Sequence, residues 1–267
     1  MSITWLPCVL LCLTGAQDDS LKLTDPHGTY GYLGATRPKA GILPGDMLHF
    51  SFAIKNMTFD SNGKAAYSIA IEIRDAAGRI FYEQKPYNAV AQNYLGGKLL
   101  PCSGFVEVPL DAKPGPVTWK ITVRDRITKK SVVAHGKGKI LPPGFGIVQV
   151  GLFADVDAQA PMSPNATVGG SAYLKFSTVG FSRDKESKQP NVNFSLRILD
   201  EQGKPTLAKP ITGKINAGVA AQERHLTSQF GLTFDRAGRF TIELTAEDVI
   251  TGLRSQVKYK IRTHPLE

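Results

Sequence analysis

Long apolar runs are missing from this sequence of 267 residues, because none reaches the roughly 18 residues that a membrane-spanning helix requires. Segments with the spacing of an amphipathic helix are missing as well. Hydrophobic residues make up 42% of the chain and charged residues 21%. This balance excludes a disordered chain and indicates a globular protein without a transmembrane span in its mature form.

Catalytic signatures are also missing. The sequence contains no G-x-S-x-G nucleophile motif and no glycine-rich phosphate-binding loop. Its five histidines are scattered, with neither H-x-x-x-H spacing nor a cysteine at ligand distance. We therefore expect no enzyme and no catalytic, cofactor-binding or metal-binding residues, although distant residues that converge in space would escape this reasoning.

One acidic pair is the exception to this lack of clusters. Asp155 and Asp157 are separated by a single residue. In a strand, both carboxylates would lie on one face, as a paired-carboxylate or calcium site requires. Two exposed charges beside a domain junction are the commoner meaning of such a pair.

Cysteine is scarce, with three residues in the chain. Cys8 and Cys12 lie in the short apolar run WLPCVLLCL, which small residues follow at TGA. This pattern predicts an export signal over residues 1–16 with cleavage before Gln17, and a buried N-terminal strand is the alternative. The mature chain then keeps only Cys102, which we expect to be a partly buried, inert thiol.

Positive charge exceeds negative charge, since 32 lysines and arginines face 23 aspartates and glutamates. A basic exported protein meets anionic glycans, phospholipid headgroups or cell-wall polymers. Export argues against nucleic acid as the natural target. The charge balance therefore predicts a protein partner or an anionic cell-surface polymer, and no cofactor.

The second half of the chain repeats the turns of the first. The turn Asp75–Gly78 matches Asp200–Gly203 at a spacing of 125 residues. Asp125 and Asp248, each two residues before an Ile-Thr pair, match at 123. Aspartate at the start of a turn accepts backbone N–H bonds, and glycine at its end tolerates a positive φ. Such agreement predicts one structural plan used twice.

Apolar and polar residues alternate between these turns. The runs 117–124 and 240–247 both have a period of two, which indicates strands with one buried face. Lys137 and Lys139 match Lys258 and Lys260 at a spacing of 121 in the last strand of each half. We expect Trp119 and Phe240 on the buried faces.

Two hairpin segments carry a resemblance to a known superfamily. PGPVTWKITVRD, ending at Asp125, and AGRFTIELTAED, ending at Asp248, resemble the closing hairpin of immunoglobulin-like or fibronectin type III-like modules in exported bacterial proteins. The antibody-type cysteine pair with its packing tryptophan is missing. The resemblance implies the superfamily fold and no particular activity.

The sequence thus predicts an all-β protein of two tandem antiparallel Ig-like β-sandwich domains. The first covers residues 21–141 and the second residues 145–263. The two prolines of Pro142–Gly144 end a strand and stiffen the connection between the domains.

The last strand of each half carries basic residues on its polar face. This alternation permits a cationic stripe that contacts a polyanion. Outward lysines also discourage strand-to-strand aggregation, which is the alternative interpretation. The candidate polyanion-contact residues are Lys137, Lys139, Lys258, Lys260 and Arg262.

The expected function is that of an exported, non-enzymatic structural, adhesive or adaptor protein in the periplasm or outside the cell, either free or associated with a surface. Two alternatives stay open. A carbohydrate-binding protein would stack sugars on loop tyrosines, for which the candidates are Tyr30, Tyr32, Tyr87 and Tyr94. A two-domain periplasmic chaperone would expose an apolar edge strand.

Overall fold

The computed structural model describes residues 20–38 and 41–266, and this part of the chain is all-β. It contains fifteen strands in several antiparallel sheets and no helix. No helix in the described part could therefore cross a membrane. The export signal predicted over residues 1–16 lies outside the described residues.

The first half of the chain forms seven strands. They are β1 Lys22–Thr29, β2 Met47–Lys55, β3 Lys64–Asp75, β4 Ile80–Gln92, β5 Leu99–Glu107, β6 Gly115–Asp125 and β7 Ser131–Ile140. The second half forms the remaining eight. They are β8 Gly146–Phe153, β9 Asn165–Thr167, β10 Ser171–Val179, β11 Val192–Leu199, β12 Ile211–Ile215, β13 Leu226–Thr233, β14 Gly238–Asp248 and β15 Leu253–His264.

Each half contributes two sheets and one hydrophobic core. The first half has the sheets β1-β2-β5 and β4-β3-β6-β7, and one buried cluster draws side chains from both. The second half has β8-β10-β13 and β12-β11-β14-β15-β9, again with one cluster fed by both sheets. The strand orders correspond one to one, apart from the short parallel strand β9. The repeat predicted from the sequence is confirmed.

The register of the hairpins corrects one sequence correspondence. In β6–β7, Trp119 faces Gly136, and in β14–β15, Ile242 faces Tyr259. Since the two hairpins have turns of equal length, Gly136 is equivalent to Tyr259 at a spacing of 123 residues. The spacing of 121 read from the lysines is wrong by two residues. The lysines face outward under both alignments, because a shift of two keeps the face of a strand.

The first strand of each half carries the same irregularity. Asp25 in β1 and Gln149 in β8 have φ values of 51° and 54°, each at a break in the pairing register. A bulge of this kind twists the strand and turns one backbone amide away from the ladder. These bulges lie 124 residues apart and are a further mark of the repeat.

The aspartates that open the equivalent hairpins have the role that the sequence predicts. The carboxylate of Asp125 accepts backbone hydrogen bonds from Ile127 at 2.8 Å, Thr128 at 3.1 Å and Thr58 at 3.2 Å. Asp248 is equally buried and accepts from Ser182 at 2.9 Å. Each aspartate therefore closes its turn and ties it to a neighbouring loop.

Replacing Asp125 by alanine should lower the free energy of unfolding by about 2–3 kcal/mol, because buried N–H groups lose their hydrogen-bond acceptor. Burial alone would raise the pKa of Asp125, but the hydrogen bonds from Thr58 and Thr128 hold the pKa below its usual value. A depressed folded-state pKa stabilises the fold above the unfolded pKa, and this contribution is lost as the pH falls through the folded pKa, below about pH 4. Urea unfolding at neutral and acidic pH measures both effects.

The matched control is Asp60→Ala. Asp60 makes the same turn contacts, with Asn62 N–H at 2.8 Å and Lys64 N–H at 2.9 Å, but in an exposed loop where water replaces the lost acceptor. We expect a cost below about 1 kcal/mol for this exchange. Equal costs for the two substitutions would contradict the role assigned to Asp125.

Candidate functional site

The predicted basic residues lie on the exposed faces of β7 and β15. In the second half the stripe is interrupted by carboxylates, because Lys258 Nζ lies 2.7 Å from Glu243 Oε1 and Arg254 pairs with Glu247 at 2.8 Å. In the first half, Lys137 has the uncharged cross-strand neighbour Thr118. The structure does not bring the candidates together as one evenly cationic surface. The remaining candidates, all of them exposed, are Lys139, Lys260 and Arg262.

An apolar groove opens between β1 and β7, at one edge of the first half. Its volume is about 540 Å³. Both sheets contribute to the floor, which is formed by Leu48, Phe50, Ile71, Ile73, Trp119 and Ile121. The groove therefore reaches into the core of the first half from its surface.

Glycines stand at three positions of the groove where the second half has large side chains. Gly28, Gly136 and Gly138 line the groove, and the pairing registers assign each of them an equivalent in the second half. Those equivalents are large and buried: Leu152, Tyr259 and Ile261. The same backbone plan thus leaves a groove between β1 and β7 in the first half, whereas side chains occupy the corresponding β8–β15 edge of the second half.

Trp119 forms one wall of the groove. A Cβ atom on Gly136 would lie 2.0 Å from Trp119 Cζ2, so the indole crosses the strand at a position that only glycine permits. The ring is half-buried, as is Phe240 in the second half, and both pack against their cores from the edge. Trp119 was expected to be a core residue, and the structure shows that it is also accessible to a ligand.

The rim of the groove carries little free charge. Arg37 borders it but is paired with Asp46, whereas Lys137 has the uncharged cross-strand neighbour Thr118. His27 and His135 also line the rim, and none of the described lining residues is an aspartate or glutamate. The groove therefore favours an apolar ligand, and Lys137 favours negative charge on the part of the ligand beside it.

The corresponding edge of the second half is covered by the first half. Tyr30 and Ala35, in the loop after β1, belong to the hydrophobic core of the second half. The rings of Tyr30 and Tyr259 lie 6.1 Å apart, and Ala35 N–H donates to Tyr259 Oη at 3.4 Å. Tyr30 is consequently buried, and it is unavailable to stack a sugar.

A buried aspartate fixes this joint between the halves. Asp46 is 1% exposed, and its Oδ1 accepts from Met47 N–H and Gln149 N–H, both at 2.8 Å. Its Oδ2 lies 2.5 Å from Arg37 Nη2. The bulge at Gln149 turns the amide toward Asp46, and Gln149 Nε2 also donates to Gly45 O at 3.0 Å.

Sequence reasoning missed this joint. The only local signal is an asymmetry of the repeat, since Gly45-Asp46 in the first half stands where the second half has Gly169-Gly170. The aspartate that forms the joint is thus present in the first copy and replaced by Gly170 in the second.

The joint predicts a dependence of stability on alkaline pH. Burial raises the pKa of Tyr259 to about 12, although the hydrogen bond from Ala35 acts in the opposite direction. A raised folded-state pKa stabilises the fold fully below the unfolded pKa of about 10, and the contribution disappears as the pH rises through the folded pKa.

Between pH 10 and 12 the wild type should therefore lose about 2–3 kcal/mol more stability than Tyr259→Phe, which has no hydroxyl to ionise. Urea unfolding of both proteins across this range is the measurement. Equal losses of stability in the wild type and in Tyr259→Phe would show that Tyr259 is not buried at the joint.

Three exposed tyrosines remain in the first half. Tyr94 is 87% exposed in the turn after β4, and Tyr87 and Tyr32 are also exposed. The rings of these three side chains do not contact one another. They do not assemble the flat aromatic platform that a carbohydrate-binding protein needs.

The acidic pair does not lie in a strand. Asp155 and Asp157 fall in the loop after β8, where Asp155 accepts from Gln159 N–H at 3.1 Å and Ala160 N–H at 2.6 Å. These bonds lower the pKa of Asp155. The placement on one strand face was wrong, because the strand ends at Phe153. Among the described residues, no three potential ligand side chains converge on a metal position.

Cys102 is half-buried on β5. Burial raises the pKa of its thiol to about 11, against a smaller opposite effect of a hydrogen bond with Tyr67. The thiol is therefore protonated at neutral pH, which agrees with the unreactive cysteine expected from the sequence.

Comparisons with known proteins give only distant similarities. No protein-family model and no curated protein matches the sequence. Among solved structures, the chain is similar to the C-terminal domain of the Streptococcus pyogenes antigen I/II-family protein AspA, with 13% identity, a TM-score of 0.31, and coverage of 91% of this chain and 99% of that one.

Two further structures are similar at the same level. The C-terminal domain of the Streptococcus agalactiae AgI/II polypeptide BspA gives 10% identity and a TM-score of 0.30, with 91% of this chain and 100% of that chain covered. A β-glucuronidase of Bacteroides uniformis gives 10% identity and a TM-score of 0.35, with 81% and 26% covered. These TM-scores are too low to support a conclusion about function.

Proposed function

We propose that this protein is an exported, non-enzymatic adaptor of two Ig-like β-sandwich domains, residues 21–141 and 145–263, joined by the linker 142–144. The first domain binds a protein partner in the groove between β1 and β7. The second domain is a structural support. The protein works in the periplasm or outside the cell, where it can also be associated with a surface.

The asymmetry of the repeat carries this proposal. The second domain keeps a filled core at its β8–β15 edge, with Tyr259 in place and Tyr30 packed on it. At the same edge the first domain has Gly136, which the Trp119 ring covers, and the groove beside this ring stays open. An apolar groove exposed to solvent is costly unless it serves binding, so the difference between the copies points to a binding role for the first.

The joint supports different roles for the two domains, with binding in the first and structural support in the second. Asp46 and Arg37 form a buried ion pair that also holds Gln149 of the second domain. A buried aspartate with these partners specifies one arrangement of the two domains better than apolar contact alone. The second domain thus holds the loop after β1 in place, and this loop borders the groove through Arg37 and Pro38.

The experiment is a capture assay with the full chain as bait, an envelope extract of the source organism, and washes of increasing salt. We expect a defined protein that stays bound at 1 M salt, where charge attraction is screened beyond about 3 Å. Gly28→Leu should abolish the capture, because leucine fills the groove as Leu152 fills the second domain. At position 28 a Cβ atom meets only ordinary contacts of 3.6 Å or more, and urea unfolding of the variant checks that it folds.

Gly97→Leu is the matched control, since position 97 lies in the loop between β4 and β5 and has no close neighbours. Its capture should equal that of the wild type. If only anionic polymers bind, and they leave at modest salt from all three baits, the basic surface acts alone and the proposal fails.

A further inference from the structure

Resting on the proposed function, we infer that the groove takes an extended peptide segment of the partner, which adds as a strand to the free edge of β7. Its residues alternate between large apolar side chains that enter the groove and acidic side chains that face the lysines of β7. This assigns Lys137 and Lys139 to the recognition of the same segment.

The free edge is the first reason. β7 is the outermost strand of its sheet. Its only partner on the outer side, within the described residues, is Ile42, which donates to Lys139 O at 2.9 Å and accepts from Leu141 N–H at 2.8 Å. No described strand pairs with this edge from Ser131 to Gly138, so it can accept the backbone of an added strand.

The floor beside this edge is the second reason. Alternate residues of an added strand would point to the side on which Gly136 and Gly138 lie. The equivalent positions of the second half carry Tyr259 and Ile261, whose side chains fill the core there. In the first half the Trp119 ring covers Gly136, and an aromatic or large aliphatic side chain from a partner would enter the groove of about 540 Å³ beside it and contact this ring.

The opposite face of β7 is the third reason. Its outward residues include His135, Lys137 and Lys139, and the strand contains no aspartate or glutamate. Lys120 lies across from His135 on the neighbouring strand. Opposite charges on adjacent strands attract and like charges repel, so the intervening residues of the added strand would be acidic.

The second half gives an internal precedent. At its own β8–β15 edge, a polypeptide segment from outside that half presents Tyr30 to the ring of Tyr259. The backbone N–H group of Ala35 in this segment donates to the Tyr259 hydroxyl at 3.4 Å. A segment that carries an aromatic residue thus already packs at this edge once in the molecule.

The test uses fluorescently labelled synthetic peptides of the length of β7 and the full chain, with binding followed by anisotropy. The first peptide alternates glutamate with tyrosine and isoleucine. The second has the same composition with all glutamates at one end, and the third is oligoglutamate. We expect the alternating peptide to bind at least about tenfold more tightly than the other two.

Variants locate the binding. Gly28→Leu should weaken binding of the alternating peptide about tenfold or more, and Gly97→Leu should leave it unchanged. The double variant Lys137→Glu/Lys139→Glu should prefer a peptide in which lysine replaces glutamate. Bound peptide should also slow amide hydrogen exchange between Ser131 and Gly138, which a ligand held by side chains alone would not do.

Equal binding of all three peptides would reduce the interaction to charge and overturn the inference, as would a failure of the alternating peptide to bind. If the capture assay nevertheless retains a protein that Gly28→Leu releases, the groove binds something other than such a strand, and the proposed function stands. If that assay fails as well, both proposals fall.

Discussion

Replacing Asp46 by alanine should lower the free energy of unfolding by about 3–5 kcal/mol, which is the expected cost of breaking a buried ion pair by removing one partner. The exchange leaves the Arg37 guanidinium without its carboxylate at the joint, where only 14% of the Arg37 side chain is exposed. It also leaves the backbone N–H groups of Met47 and Gln149 without their hydrogen-bond acceptor. Urea unfolding, followed by circular dichroism and tryptophan fluorescence, measures the loss.

The double variant Arg37→Ala/Asp46→Ala is the matched control. Its cost should be smaller than the sum of the two single costs, because no uncompensated charge remains buried in it. A cost below about 1 kcal/mol for Asp46→Ala, typical of exposed ion pairs, would contradict a buried joint. Additive single costs would show that Arg37 and Asp46 do not act as a pair.

Replacing Tyr259 by alanine should cost about 3–5 kcal/mol, as the loss of a fully buried aromatic side chain does. Tyr259 is 1% exposed and lies between the core of the second half and the ring of Tyr30. The cavity would open at the joint and would release Tyr30 as well. Urea unfolding at neutral pH measures this change.

Tyr259→Phe keeps the ring and removes only the hydroxyl that accepts from Ala35 at 3.4 Å. Its cost at neutral pH should stay near 1 kcal/mol. The difference between the alanine and phenylalanine variants therefore isolates the packing of the ring. A small cost for both would mean that the second half is open at this edge, like the first.

The sequence predicted the repeat, the turns and several strands because their signals are local. Asp125 needs only the next three residues to form its turn, and a period of two needs only one strand to be seen. Strand β4 gives a weaker signal in the sequence. Pro86 and breaks of register beside Ile69 and Ile73 blur the period of β4, which runs on to Gln92.

The groove and the joint could not be predicted because they depend on partners far apart in the chain. Asp46 and Gln149 are separated by 103 positions. The equivalence of Gly136 with Tyr259 depends on the pairing of β7 with β6, and the spacing of 121 taken from the lysines conceals it. The groove can be recognised only when the positions of both facing sheets are known.

Thiol accessibility tests the central claim, an open groove in one half and a filled one in the other. Gly28→Cys and Leu152→Cys place a cysteine at equivalent positions, in a chain whose own cysteines, Cys8, Cys12 and Cys102, are serines. The account predicts that a thiol reagent labels position 28 in the native protein at least about a hundredfold faster than position 152, which reacts only after opening. Equally slow labelling at both positions would contradict it.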